Sequence, residues 1–400
     1  MEQRVALGIA GGLVAFIFTV VALAGVVNPP SRVASVSYTA IVTALTGVIS
    51  LTLVLLYHRI PRPAARATAI YVTLVAWMLG LLVIDGTTRQ GVQFIMVQVA
   101  FVGALLLAST ARRVIGGRLD IVVARCFRFT SSVLIGTEIL SAAHVPVDGR
   151  DAAIVSLVCM SWFLAEYRLG NHTSLWWALA GLLGIAVSLS RTALVAGLVL
   201  FVATMLLAPG KRRVRNAILC LLVVAGIVWT VTSWTTLRDR FVQGDLSRVA
   251  GIKINTEGRP KVWAVVWSGA QNELLIGHGP GKASALSVSV EPAFDHPHND
   301  YLLVLYDFGV VGLVLLAWFA LRTARMLRYA RKRSSGLITA VAALNAGLAI
   351  LIMMVTDNPL DYPFVMIPLG ALVGLGLGAM GTRSSLAERD LERRKAATRH

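Results

Sequence analysis

The chain has 400 residues, of which 56% are hydrophobic and only 14% are charged, and its mean hydropathy is +0.74. A soluble domain carries about 25% charged residues, so this composition excludes soluble globular, disordered, collagen-like and disulfide-stapled proteins. The net charge of +17 is explained by basic loops that face anionic lipid, and it predicts no nucleic-acid partner. The three cysteines lie in or beside apolar stretches without metal-ligand spacing, so they predict no redox chemistry.

Hydropathy predicts an all-α membrane fold, because a bilayer core about 30 Å thick needs about 20 apolar residues in a helix. Twelve segments qualify as spans: 5–27, 36–57, 67–84, 91–108, 122–143, 152–167, 173–189, 192–208, 214–236, 301–321, 337–356 and 362–380. The fifth is the weakest, because Arg125, Arg128 and Glu138 interrupt it. An alternative for the first segment is a signal peptide, since Ala22-Leu23-Ala24 resembles a cleavage site.

The distribution of Lys and Arg predicts the orientation, since these residues concentrate in cytoplasmic loops. With the N-terminus inside, basic residues crowd the inner segments, and the short outer loops carry few: Arg32, Arg89, Arg150 and Arg191. Both termini are then cytoplasmic, and one large loop between spans nine and ten is extracytoplasmic. The predicted divisions are spans one to nine (1–236), the loop (237–300), spans ten to twelve (301–381) and a charged cytoplasmic tail (382–400).

Ser188-Leu189-Ser190-Arg191 stands between two short apolar segments, 173–189 and 192–208. As a single helix they would span roughly 54 Å at 1.5 Å per residue, so we predict two short helices that meet at Arg191. An arginine at the end of a span reaches the interface, pairs, or faces a polar cavity. Its guanidinium offers five donors in a fixed fork, which suits phosphate oxygens. Arg191 is therefore interpreted as an interface residue or an anion-binding residue.

Residues 256–267 read T-E-G-R-P-K-V-W-A-V-V-W and predict a helix that begins near Pro260, because proline is favoured at the first helical position. Arg259 then lies at the helix N-terminus, where exposed N–H groups favour anions. Trp263 and Trp267 are four residues apart and share a face. This pattern is typical of an amphipathic helix on the membrane surface, which would hold Arg259 at the height of a lipid headgroup.

Residues 294–301 read F-D-H-P-H-N-D-Y and precede the tenth predicted span. His296 and His298 flank a proline, and three interpretations stay open: a zinc site, loop histidines without a role, or a general base. No further metal ligands stand at a recognisable spacing. An imidazole with an ordinary pKa of about 6.5 can accept a proton at neutral pH. Asn299 or Asp300 would then orient the ring.

Residues 277–283, G-H-G-P-G-K-A, have a weak similarity to a phosphate-binding loop. Ile276 stands where that motif needs its first glycine, and Ala283 stands where it needs Ser or Thr. The segment also lies on the predicted outer side, where ATP is scarce. We therefore exclude a nucleotide site here.

The chain resembles the O-antigen ligase/polymerase family of bacterial envelope enzymes through four segments in the same order. These are S-L-S-R (188–191), G-R-P-K-V-W (258–263), G-H-G-P-G (277–281) and H-N-D-Y-L-L-V-L-Y-D-F-G-V-V-G (298–312). Twelve spans with the large loop between the ninth and tenth also match the family. The motif region covers roughly residues 188–312, and the first half of the chain matches only in hydropathy.

The resemblance implies a GT-C-like glycosyltransferase in the bacterial cytoplasmic (inner) membrane, with an extracytoplasmic active site and no metal or cofactor. Its donor would be a glycan on undecaprenyl diphosphate, and its acceptor a glycan or lipid hydroxyl. Family knowledge places Arg191 and Arg259 on the donor diphosphate and His298 as the catalytic base. Further candidates for binding the substrate are Lys261, Lys282, His296, Asn299 and Trp263.

Two alternatives to a ligase stay open from the sequence. A polymerase of the same family joins repeat units while they remain on the lipid carrier, and the motifs cannot separate it from a ligase. The compact loops with a single large one slightly favour ligase. A transporter belongs to a different class and often shows repeated halves and ionisable residues at mid-membrane. The chain shows no convincing repeat, and its polar cluster is at the outer surface.

Overall fold

The computed structural model is described over most of the chain. The described residues are 2–24, 32–33, 36–57, 60–142, 149–188, 190–207, 213–233, 246–249, 252–255, 258–333 and 337–380. The predicted cytoplasmic tail, 382–400, lies outside these residues, as does much of the first part of the large loop.

The described fold is helical. Its helices in chain order are α1 (Glu2–Phe16, continued by a π-helical turn Ile17–Val21 and by Ala22–Ala24), α2 (Tyr38–Tyr57), α3 (Arg62–Asp85), α4 (Arg89–Ile115), α5 (Arg118–Ala142), α6 (Gly149–Arg168), α7 (Ser174–Val187), α8 (Arg191–Leu206), α9 (Arg213–Ser233), α10 (Arg259–Ala270), α11 (Lys282–Val290), α12 (Asp300–Arg333), α13 (Leu337–Met353) and α14 (Pro363–Gly378). Short 3₁₀ turns occupy Gln271–Glu273 and Pro359–Asp361.

Two short antiparallel hairpins add strands to the fold that was predicted as all-α. Strand β1 (Arg32–Val33) pairs with β2 (Val36–Ser37), and β3 (Leu246–Val249) pairs with β4 (Ile252–Asn255). The first hairpin overlaps the start of the second predicted span at residues 36–37, and the second lies in the predicted large loop. The prediction missed them because strands this short carry little pattern of their own.

Four described helices are long and apolar enough to cross a membrane by length and composition: α3, α4, residues Arg213–Thr230 of α9 and residues Asp300–Lys332 of α12. Shorter apolar stretches occur in α1, α2, α7, α8, α13 and α14. Each predicted span overlaps one helix, and the weak fifth one coincides with the 25-residue α5. The number of helices that cross the bilayer stays a prediction.

Helix α14 packs tightly against α4 through glycines spaced four residues apart. A Cβ atom at Gly370 would lie 2.5 Å from Phe101 O, and one at Gly374 would collide with Leu105 O. Small residues at this spacing let helix backbones approach closely, which drives association between helices in lipid. Helix α14 is buried along its whole length, because other helices, including α12 and α13, cover the sides that α4 does not.

The chain breaks between α7 and α8 at Arg191, as predicted. Helix α7 ends at Val187, and Ser188 Oγ then accepts a hydrogen bond from Ser190 N at 3.3 Å. Helix α8 begins at Arg191. A Cβ atom at Gly149 would lie 3.2 Å from Ser188 O, so the start of α6 packs directly against this break.

Helix α12 is kinked at Gly309, whose φ of 66° is left-handed. In a continuous helix the carbonyls of Tyr306 and Asp307 would accept hydrogen bonds from the residues four positions later. Here they accept from His278 N at 2.9 Å and Gly279 N at 3.0 Å instead. The G-H-G-P-G segment therefore supplies backbone donors to a broken helix.

The donors released by the kink also find partners in the preceding segment. Val310 N donates to Leu274 O at 2.8 Å, and Val311 N donates to Leu275 O at 3.3 Å. The Asp307 carboxylate accepts further backbone hydrogen bonds from the start of α11, at 2.7 Å each. Residues 274–281 and the middle of α12 thus form one hydrogen-bonded unit, which gives the glycine motif a structural role.

Replacing Gly309 with alanine should destabilise this unit. A Cβ there would collide with Leu275 O, and its backbone conformation is strained for any residue except glycine. We expect the free energy of unfolding to fall by about 2–5 kcal/mol, measured by thermal unfolding in detergent. The control is Gly347→Ala in α13, where a Cβ meets nothing within 4 Å. Equal melting temperatures for the two variants would contradict the structural role assigned to Gly309.

Candidate active site

The turn between α13 and α14, residues 356–361, is the centre of a polar cluster. Arg259 Nη1 donates to Thr356 O at 3.0 Å. The Thr356 hydroxyl hydrogen-bonds that of Thr192, the residue after Arg191. Arg259 and the first turn of α8, which begins with Arg191, therefore contact the same turn.

His298 is buried in this cluster, with 8% of its surface exposed, and its φ of 51° is unusual for a residue other than glycine. Its Nδ1 lies 3.1 Å from Nη2 of Arg150. Arg150 in turn pairs with Asp357, through Nε to Oδ2 at 3.0 Å and through Nη2 to Oδ1. A chain of hydrogen bonds thus runs from a buried carboxylate through a guanidinium to the imidazole.

The surroundings of His298 favour its neutral form. Burial, followed by the charges of Arg150 and Arg259, lowers the pKa of the imidazole from 6.5 to about 4. Asp357 opposes them, and His296 adds a small effect in the same direction as the arginines. His298 is therefore uncharged at neutral pH in this structure.

His296 occupies a second hydrogen-bonded chain beside the first. Its Nδ1 lies 3.1 Å from Ser284 Oγ on α11, and its Nε2 lies 3.1 Å from an oxygen of Asp361. Burial raises the pKa of the Asp361 carboxyl, and His296 opposes this shift. These contacts connect the segment that carries His298 to α11 and to the 356–361 turn.

Asn299 and Asp300 hydrogen-bond the backbone and the turn, and the ring partner of His298 is Arg150. The Asn299 side chain accepts from the N–H three residues later at 3.0 Å, which caps α12. Asp300 is fully buried and accepts from Asn358 Nδ2 at 2.9 Å. The expectation that Asn299 or Asp300 orients the ring is therefore corrected. The Asn299 side chain caps α12, and the Asp300 carboxylate accepts from Asn358 Nδ2 and Leu360 N in the 356–361 turn.

Helix α10 places Arg259 as the sequence predicted. It begins at Arg259 after Gly258, whose φ of 78° allows the turn, with Pro260 in its first turn. Trp263 Nε1 donates to Pro297 O at 2.7 Å. This bond attaches α10 to the residue before His298, so Trp263 is a structural partner of the histidine segment.

The two lysine candidates lie at the start of their helices. Lys261 is exposed on α10, whereas Lys282 is partly buried in the first turn of α11, where its N–H donates to Gly279 O. Within the described ranges, no group of three or more His, Cys, Asp or Glu side chains is arranged to hold a metal ion.

Sequence reasoning missed Arg150 and Asp357. Arg150 was counted only as one of the few outer arginines, and that exception to the charge rule was itself a signal. Asp357 belongs to T-D-N-P-L-D-Y-P, residues 356–363, which puts two acidic residues in a short loop on the predicted outer side. Their pairing over 207 positions was not predictable from either segment alone.

Comparison with known families identifies one part of the chain. Residues 173–317 match the family described as O-antigen ligase, which confirms the resemblance to an O-antigen ligase-like family over this segment. The matched segment contains Arg191, Arg259 and His298, whereas Arg150 and the 356–361 turn lie outside it. A search of curated proteins finds no match.

Proposed function

We propose, from the O-antigen ligase domain at residues 173–317, that this bacterial membrane protein is a GT-C-like glycosyltransferase. It moves a glycan from undecaprenyl diphosphate to the hydroxyl of a glycan or lipid acceptor, at the outer face of the cytoplasmic membrane. The family match supports ligase- or polymerase-type chemistry in general. Within that chemistry we favour the ligase, with the repeat-unit polymerase as the second candidate.

One observation carries this proposal: a buried neutral imidazole stands among guanidinium groups. Arg150 contacts His298 directly, and the charge of Arg259 acts on the same ring. Arg191 begins α8 next to Thr192, whose hydroxyl contacts the 356–361 turn. A proton acceptor surrounded by phosphate-binding forks is the arrangement that transfer from a lipid diphosphate requires.

The reaction draws its energy from the sugar–diphosphate bond of the donor, because no nucleotide is available outside the cell. His298 takes the proton of the acceptor hydroxyl, and that oxygen attacks the anomeric carbon with inversion. The bond from this carbon to the diphosphate breaks, and its electron pair leaves with the diphosphate. Arg191 and Arg259 stabilise the growing negative charge, which is the role that a metal ion fills in other transferases.

Replacing Arg259 with lysine tests this placement. Lysine keeps the positive charge but loses the planar fork that binds two phosphate oxygens. We expect turnover to fall about tenfold or more, with glycan accumulating on the lipid carrier in cells that depend on the variant. Arg89→Lys, at an exposed arginine that begins α4, serves as the matched control. Near-normal turnover in Arg259→Lys, at normal protein levels, would count against the proposal.

A further inference from the structure

The contact between Arg150 and His298 fixes where the imidazole proton lies. An arginine side chain only donates hydrogen bonds, so His298 Nδ1 must accept the one from Nη2 at 3.1 Å. A neutral imidazole then carries its proton on Nε2. In this state the lone pair of Nδ1 is used by Arg150 and Nε2 has none, so neither nitrogen can accept a proton from a hydroxyl.

We propose that Arg150 is a positioning residue that keeps His298 from acting as a base until a diphosphate draws its guanidinium away from Nδ1. This inference rests on the proposed function and adds to it an order in which the two substrates bind. The donor binds first, and only then does His298 have a free lone pair for the acceptor. Neither the family match nor the predicted motifs include Arg150.

The exchange of partners is favourable for Arg150. A guanidinium bound to phosphate frequently makes two parallel hydrogen bonds to charged oxygens, whereas its bond to the imidazole is a single one to a neutral acceptor. The Asp357 side chain is 2% exposed, whereas that of Arg150 is 34% exposed. Arg150 can thus keep its hydrogen bond from Nε to the buried carboxylate while its Nη2 turns from the imidazole to a ligand.

The movement of Arg150 from His298 to a diphosphate also makes His298 a stronger base. The groups that act on His298 come from α6 (Arg150), α10 (Arg259), the 356–361 turn (Asp357) and its own segment (His296). A bound diphosphate brings negative charge that offsets the two arginines, so the pKa of His298 rises from about 4 toward its ordinary value. The acceptor O–H bond then breaks as an Nδ1–H bond forms, and the diphosphate stabilises the resulting imidazolium.

The test is a pH titration of His298 by ¹⁵N NMR, on the full chain in detergent with labelled histidine. The His298 signals are assigned by their absence in His298→Gln, and inorganic pyrophosphate is the probe. We expect the Nε2–H form without pyrophosphate and protonation near pH 4. Saturating pyrophosphate should raise the proton affinity of His298 at least tenfold. It should also remove the change in the ¹⁵N shift of Nδ1 that its hydrogen bond from Arg150 causes.

Two variants separate Arg150 from a general effect of charge. Arg150→Gln should raise the pKa of His298 without any ligand and should reduce the further shift that pyrophosphate causes. Arg89→Gln should titrate like the wild type. If Arg150→Gln does not fold, the pyrophosphate titration of the wild type decides by itself.

Three results would overturn the role of Arg150: an Nδ1–H form in the wild type, a titration that pyrophosphate leaves unchanged, or an Arg150→Gln titration equal to that of the wild type. If one of these occurs while His298→Ala still blocks glycan transfer, only the inference about Arg150 fails. If His298→Ala retains transfer, the proposed function fails independently of the titration.

Discussion

His298→Ala is expected to stop glycan transfer and leave the donor glycan on its lipid carrier. Alanine cannot accept the hydroxyl proton, and removal of a positioned base typically costs about 10²- to 10⁴-fold in rate. The imidazole is buried within a segment held by Trp263, Ser284 and Asp361 through other residues, so its removal should leave the local fold in place. The measurement is the size distribution of lipid-linked glycans extracted from cells.

The pool that accumulates also separates the two candidate reactions. Single repeat units on the carrier would identify a polymerase, whereas long chains on the carrier would identify a ligase. His172→Ala, at an exposed histidine between α6 and α7, is the control and should leave the pool normal. An unchanged pool in His298→Ala, with the variant present in the membrane at normal levels, would contradict the glycosyltransferase proposal and favour transport.

Asp357→Asn should impair both stability and activity. The carboxylate holds Arg150 through both of its oxygens and is buried, so the amide leaves a guanidinium charge beside His298 without its counter-charge. Breaking a fully buried pair costs about 3–5 kcal/mol. Because Arg150 is about one third exposed, we expect about 1–3 kcal/mol after screening by solvent, measured by thermal unfolding. Transfer should fall at least about tenfold, because Arg150 is no longer held in place.

The titration of His298 gives Asp357→Asn a second readout with a definite sign. The negative charge of Asp357 raises the pKa of the imidazole, so its loss should lower this pKa below about 4. Arg150→Gln acts in the opposite direction, since it removes a positive charge. Asp295→Asn, at an exposed carboxyl 3.9 Å from His296, is the control. A rise of the His298 pKa in Asp357→Asn would contradict the placement of the Asp357 carboxylate beside Arg150 and His298.

The sequence predicted correctly those features of the fold that depend on residues close together in the chain. The length of the apolar run predicted the break at Arg191, and Pro260 predicted the start of α10. Both depend on helix geometry and on residues that are neighbours in the chain. The motif order then placed Arg191, Arg259 and His298 in one family segment. The 356–361 turn contacts Arg259 directly, His298 through Arg150, and the residue that follows Arg191.

The remainder of the site depends on contacts between distant segments. Arg150 and Asp357 are 207 positions apart. Taken alone, each is also typical of a charged residue in a surface loop. The turn that carries Asp357 is held by Asp300 and Arg259 from distant segments, and no local pattern contains that information. For the same reason the sequence suggested Asn299 as a partner of the ring, because proximity in the chain was the only guide.

Helix α12 cannot complete its backbone hydrogen bonds by itself. At its kink, the carbonyls of Tyr306 and Asp307 and the N–H groups of Val310 and Val311 pair with residues 274–279, and the carbonyl of Phe308 accepts from Trp77 Nε1. Residues 274–279 are synthesised earlier than α12 and, by the predicted topology, are exported across the membrane. An unsatisfied backbone group in hydrocarbon costs several kcal/mol, so export of the loop and seating of the helix must be completed together. Because His298 lies two residues before α12 begins, we expect a newly made chain to acquire the proposed transferase site only at that late step of biogenesis, once the loop is on the predicted outer side.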